Sequence, residues 1–95
     1  MADAFQGPQP VLGGVRFSIE APYAQDLRVT GEFTGWSYDG IPLERSEDGV
    51  WSTVVEIGPG SHEYRFVIDG VWVKDPNNLE SVTNEFGQEN SVVFV

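Results

Sequence analysis

Trp36 and Trp72 are the residues of this chain whose type and setting point most directly to a chemistry. Trp36 closes the run Gly31-Glu32-Phe33-Thr34-Gly35-Trp36, and Trp72 lies inside Asp69-Gly70-Val71-Trp72-Val73-Lys74-Asp75-Pro76. Each stands where an alternating apolar pattern gives way to turn residues, so its indole has no obvious core to enter. A large apolar ring left in water usually marks a binding surface. A pyranose suits such a surface: its C–H face is apolar enough to lie on an indole, and its rim of hydroxyls calls for planar amide or guanidinium partners. Arg65, Gln88 and Asn90 carry those groups. The structural alternative for Trp36 is a plug over the open end of the fold, and for Trp72 a cross-strand packing partner. Trp51 reads differently, because it is in phase with Thr53, Val55 and Ile57 and belongs with them in the core.

Other side chains invite other chemistries, and none assembles one. Fifteen acids offer the carboxylate pair of a glycoside hydrolase, yet no pattern positions such a pair. Asp69 and Asp75 fall in turns, where Asp bonds to its own backbone, and neither shows an apolar neighbourhood that would raise its pKa. His62, the only histidine, follows Gly60-Ser61 at a strand start with no nucleophile motif and reads as a surface residue. The stretch Asp75-Pro76-Asn77-Asn78-Leu79-Glu80 lacks the central glycine of a calcium loop. The sequence therefore predicts no catalytic residue, no metal and no cofactor. Asn77, Asn78 and Asn84 read as turn formers. Arg65 has the alternative of pairing with Glu63 or Glu56, and Asn90 that of capping the turn before the last strand.

The elements that must position these residues are strands. Apolar alternation of period two recurs along the chain, broken at short intervals by Gly, Pro, Asn and Asp, and helical periodicity is absent, which predicts an all-β sandwich. Residues 1–13, with Gly7, Pro8, Pro10 and Gly13, read as a flexible tail or linker, and residues 14–95 as one β-sandwich domain. Val15, Phe17 and Ile19 alternate in a first strand; Leu27, Val29, Gly31 and Phe33 alternate in a second. Pro42-Leu43-Glu44-Arg45 reads as one short edge strand. Tyr64, Phe66 and Ile68 point to the core and leave Arg65 and Val67 on the opposite face. Asp69-Gly70 is a two-residue hairpin signal that sets Trp72 just beyond the turn, on a surface shared with Arg65. A long loop from Asp75 to Gln88 then precedes the closing strand Ser91–Val95.

Composition bounds the possible partners. A chain of 95 residues, 40% hydrophobic, supports one modest core, and without cysteine that core must hold alone. Five Lys plus Arg against fifteen Asp plus Glu give a formal net charge of −10, which disfavours nucleic acid and anionic membranes as partners. No apolar run reaches membrane-spanning length, and the start Met1-Ala2-Asp3-Ala4-Phe5-Gln6 lacks the regions of a signal peptide, so the chain reads as cytoplasmic.

Three motifs occur in order: Gly-x-Phe-x-x-Trp, then Glu-Tyr-Arg-Phe-x-x-Asp-Gly-x-Trp-x-x-Asp-Pro, then Phe-Gly-x-x-Asn-Ser. Together, from about Val15 to Val95, they resemble the starch- and glycogen-binding early-set module, found in the β subunit of AMP-activated protein kinase and at the N-terminus of branching and isoamylase-type debranching enzymes. The resemblance implies an immunoglobulin-like antiparallel β-sandwich. It also implies a non-catalytic site for α-1,4-linked glucan or maltooligosaccharide made by Trp36, Arg65, Trp72, Phe86, Gln88 and Asn90. Arg65 stands where the kinase subunit has Lys, which keeps a charged donor but forks it; Phe86 stands in place of a leucine and Gln88 in place of a threonine. The same resemblance admits a catalytic partner protein or domain onto which the sandwich docks.

Overall fold

The alternating pattern folds into two facing antiparallel sheets in the computed structural model, which describes residues 7–95. In chain order the strands are β1 (Gln9–Val11), β2 (Gly14–Glu20), β3 (Leu27–Gly31), β4 (Ile41–Pro42), β5 (Glu44–Arg45), β6 (Val50–Val55), β7 (Ser61–Ile68), β8 (Val71–Val73), β9 (Ser81–Thr83) and β10 (Glu89–Phe94). One sheet runs β1-β2-β6-β5; the other runs β4-β3-β7-β10-β9, with β8 also paired to β7. Strand β7 is the hinge of the second sheet. Its β10 edge is paired over Ser61–Tyr64, and the same edge is paired to β8 over Phe66–Ile68, so β10 and β8 share it end to end.

Between the sheets, Val15, Phe17 and Ile19 of β2 meet Val29, Tyr64 and Phe66 of the facing sheet in one buried cluster. Each such fully buried large side chain contributes about 1.5–3 kcal/mol relative to exposure. Phe17 and Tyr64 meet edge to face at 4.7 Å, and Phe33 stacks on Phe17 at 5.9 Å. Trp51 is 8% exposed, as its phase on β6 required, and its indole Nε1 donates to the Ala21 carbonyl at 3.0 Å. Thr53, paired with Phe17 within β6, and Ile57, which lies beyond the end of β6, are only partly buried.

Five expectations change. Within the expected tail 1–13, Gln9–Val11 pairs with Gly14–Arg16 as strand β1, because Gly13 and Gly14 at positive φ fold the chain back on itself; residues 1–6 lie outside the described residues. Strand β3 ends at Gly31, and Glu32–Thr34 is a 3-10 turn that still delivers Phe33 to the core. The Pro42–Arg45 edge divides: Ile41–Pro42 pairs with β3, Glu44–Arg45 pairs with β6, and buried Leu43 passes between the sheets with its N–H on the Leu27 carbonyl at 2.9 Å. The loop expected over 75–88 contains β9, paired to β10 through Ser81↔Ser91 and Thr83↔Glu89. His62 is half-buried rather than superficial, because β7 begins at Ser61 and sets it in phase with Tyr64; its Nε2 lies 2.8 Å from the Gly58 carbonyl.

Candidate functional site

The Gly-x-Phe-x-x-Trp run is a device for presenting Trp36. Gly31 touches the neighbouring strand so closely that a Cβ would clash with the Glu63 carbonyl oxygen, so a larger residue fits only if the strands shift apart. After the 3-10 turn, Gly35 and then Trp36 itself adopt left-handed backbone, φ 66° and 58°. The turn closes with the Gly35 N–H on the Glu32 carbonyl at 3.1 Å and the Trp36 N–H on the Gly31 carbonyl at 2.8 Å. Glycine accepts that conformation freely. Tryptophan does not, and the strain is held by the surrounding hydrogen bonds, a pattern that collects at functional positions.

Trp72 reaches the same surface from β8. It pairs across the ladder with Val67, which points away from the sandwich core yet is 1% exposed. Trp72 therefore covers the outer face of the sheet as well as presenting a ring, so the packing alternative raised for it describes part of its environment. The two indoles lie 6.5 Å apart with planes tilted by 37°. The Arg65 guanidinium sits over Trp72 at 5.4 Å from the ring centroid, a cation–π contact that holds the head group at the surface.

Arg65 is oriented by amides rather than by the carboxylates Glu63 or Glu56. Its Nε donates to Asn90 Oδ1 at 2.8 Å and its Nη2 to Gln88 Oε1 at 3.0 Å. Asn90 Nδ2 in turn donates to Glu63 Oε1 at 3.0 Å. With Asn90 only 4% exposed and bonded to Arg65 and Glu63, its amide chiefly sets the direction of Arg65, whereas the sequence offered it as a direct partner for the hydroxyl rim of a sugar. The β9–β10 hairpin carries Phe86 at its tip, 79% exposed. Asn84 builds that hairpin: its Oδ1 accepts the N–H groups of Phe86 and Gln88, each at 2.9 Å.

These parts surround one open cleft of about 780 Å³ on the outer face of the second sheet, and Trp36, Arg65, Trp72, Phe86, Gln88 and Asn90 all line it. Glu63, Val82, Thr83, Asn84 and Glu85 line it too; from the sequence Asn84 reads only as a turn former and Glu63 only as an alternative partner of Arg65, and the other three carry no signal. Val82 and Thr83 belong to β9, the strand hidden in the expected loop; the alternation there is too short to register. Arg65 is the one cation lining the cleft among the described residues, and Glu63 and Glu85 are its carboxylates.

Asp75 makes the local backbone bond expected of a turn residue but is buried as well, and Asp69 bonds to a distant segment instead. Asp75 is 1% exposed; its Oδ2 accepts from the Tyr64 hydroxyl at 2.6 Å and its Oδ1 from the Asn77 N–H at 2.9 Å. Burial pushes its pKa above the usual carboxylate value, although both hydrogen bonds pull the other way. Asp69, at φ 49°, accepts from the Gln25 and Asp26 N–H groups and so ties the hairpin tip to the loop before β3. Neither lines the cleft. Asn78 likewise does more than form a turn, donating to the Tyr64 hydroxyl and to the Val92 carbonyl.

A sandwich that carries two tilted indoles, an oriented guanidinium and amide side chains around an open cleft has the make-up of a carbohydrate-binding module. The particular family follows from comparison: residues 16–95 match the profile described as the glycogen recognition site of AMP-activated protein kinase, and the chain belongs to that family. It is 38% identical over 72 residues to protein FLOURY ENDOSPERM 6, chloroplastic, of Oryza sativa subsp. japonica, covering 76% of this chain and 13% of that protein. It is 31% identical over 71 residues to 5'-AMP-activated protein kinase subunit beta-1 of Sus scrofa, covering 75% and 55%. It is 33% identical over 91 residues to phosphoglucan phosphatase DSP4, amyloplastic, of Castanea sativa, covering 90% and 24%. The chain thus matches between 13% and 55% of the length of these relatives.

Proposed function

We infer that this chain binds α-1,4-linked glucan, glycogen or starch-like, and does not cleave it. The observation that carries this reading is the pair of indoles at 6.5 Å and 37°, a geometry that suits successive sugars of a curved chain, whereas a flat β-1,4 chain calls for coplanar rings. Trp36 and Trp72 stack on the apolar sugar faces, Arg65 and Gln88 meet the hydroxyl rim, and Phe86 reaches the ligand from the hairpin tip. The absence of chemistry is supported by the placement of the acids: Asp75, the carboxylate that burial perturbs, is bonded to Tyr64 away from the cleft, and Glu63 is engaged by Asn90. Since the matched segment is a minor part of several relatives, the reading extends to a module that brings a catalytic partner, in the same or another chain, to glucan.

A shallow, wet site of this kind binds with roughly −5 to −7 kcal/mol, hundreds to about ten micromolar. Calorimetric titration with glucose, maltotriose and maltoheptaose should show affinity rising with length, and cello-oligosaccharide should give no heat. Equal affinity for the three α-glucans, or preference for the β-linked chain, would contradict the reading; so would release of reducing sugar from starch that is lost on mutating one carboxylate.

A further inference from the structure

Tyr38 follows Trp36 by two residues, and nothing in its local pattern distinguishes it from a loop residue. In the fold its ring lies 6.4 Å from that of Trp72, tilted by 50°. Trp72 is thus flanked by two aromatic rings, Trp36 and Tyr38, at nearly equal distances. Tyr38 is 57% exposed and does not line the cleft, so the aromatic surface continues past Trp72 beyond the cleft itself.

The backbone that carries Tyr38 is clamped on both sides. The Thr30 hydroxyl donates to the Ser37 carbonyl at 2.7 Å, the Asp39 N–H to Ser37 Oγ at 3.2 Å, and Arg28 Nη1 to the Asp39 carbonyl at 3.1 Å. Gly40, at φ 52°, presses against β3 so tightly that a Cβ would lie 2.5 Å from the Val29 carbonyl oxygen. The hydroxyl end of Tyr38 reaches the hairpin tip, where a Cβ on Gly70 would come within 3.0 Å of it. A ring held this firmly and left more than half in water gains little from burial, and a fixed exposed aromatic next to another is a ready surface for a further sugar face.

Building on the glucan-binding reading, we propose that Tyr38 is a third stacking contact for the same glucan, engaged only by chains long enough to run past Trp72. The three rings then form one angled track, with Trp72 at its middle. Short oligosaccharides occupy the Trp36–Trp72 part and do not reach Tyr38.

The test is calorimetric titration of wild type, Tyr38→Ala and Tyr38→Phe with maltotriose and with maltoheptaose, alongside a denaturant titration of each variant. Tyr38→Ala should weaken maltoheptaose binding by about three- to tenfold while maltotriose stays within about twofold of wild type, and Tyr38→Phe should bind both as wild type does. Equal losses for the two ligands in a folded Tyr38→Ala variant would make Tyr38 a mere prop for Trp72 and overturn the proposal. No loss for either ligand would also overturn it. Wild type that binds neither ligand would sink the glucan reading itself, an outcome separable from failure at Tyr38 because it is seen before any substitution.

Discussion

A left-handed backbone costs a non-glycine residue about 1–3 kcal/mol, and Trp36 occupies one at φ 58°. Since glycine would sit there without strain, what the position delivers is the indole, aimed at the cleft. Trp36→Gly should therefore leave folding stability unchanged or raise it by up to about 1 kcal/mol, while lowering affinity for maltoheptaose by about thirtyfold. Trp72→Ala should cause a similar loss of affinity but also cost about 1–2 kcal/mol of stability, because Val67 beneath it is uncovered. Trp51→Ala should cost about 3–5 kcal/mol, through the cavity and through the Ala21 carbonyl left without its donor, and lose binding only as it unfolds. Paired denaturant and ligand titrations check all three; a Trp36→Gly variant as unstable as Trp51→Ala would mean that the ring is core.

At the scale of elements, the site depends on how closely β3 and β7 approach. Gly31 pairs with Tyr64, and its missing side chain lets the Glu63 carbonyl come where a Cβ would stand. The same residue accepts the Trp36 N–H, and Glu63 and Arg65 on either side of Tyr64 enter the cleft. Gly31→Ala should therefore push the strands apart, costing about 1–3 kcal/mol, and weaken glucan binding beyond what the unfolded fraction accounts for. Urea denaturation followed by titration under conditions where the variant is fully folded measures both. Wild-type stability and affinity in Gly31→Ala would show that the close approach is not what sets the Trp36 turn. Strand β10 contributes in the complementary way: Asn90 spans from Glu63 to Arg65, so one amide fixes the angle of the guanidinium over Trp72.

For the whole molecule, the net charge of −10 makes acidity a global variable, and Asp75 supplies its buried part. Burial raises its folded-state pKa above 3.8, so the folded state holds its proton to higher pH than the unfolded chain does. By linkage, the stability that protonated Asp75 contributes is fully present below 3.8 and is lost as the pH rises through its folded value. Asp48 has the opposite sign, since bonds from the Ser46 hydroxyl and the Val50 N–H lower its pKa in an exposed turn. Comparing wild type with Asp75→Asn isolates the buried group: relative to the variant, wild type should lose stability as the pH rises from about 4 toward 7. Urea titrations across that range test it, and parallel pH profiles would show that Asp75 has the same pKa folded and unfolded.

What the sequence determined by itself was carried by local alternation and by turn chemistry. The period-two placement of Val15, Phe17 and Ile19, and of Tyr64, Phe66 and Ile68, announced which face of each strand is buried; the phase of Trp51 placed it in the core. Asp69-Gly70 positioned Trp72 beside Arg65, because a hairpin is closed by its own residues. Tertiary structure decided whatever depends on pairing between distant segments. Strands β1 and β9 are too short to show alternation and exist through partners in β2 and β10. The Ile41–Arg45 segment serves both sheets because Leu43 is buried between them, and Tyr38 meets Trp72 only when the loop after Trp36 folds over β8. In sequence Asp75 reads as a turn residue and Asn90 as a sugar-binding amide whose alternative is turn capping. One is buried because the Tyr64 hydroxyl from β7 supplies the bond that burial demands, and the other became a brace for Arg65 because β10 set it beside β7.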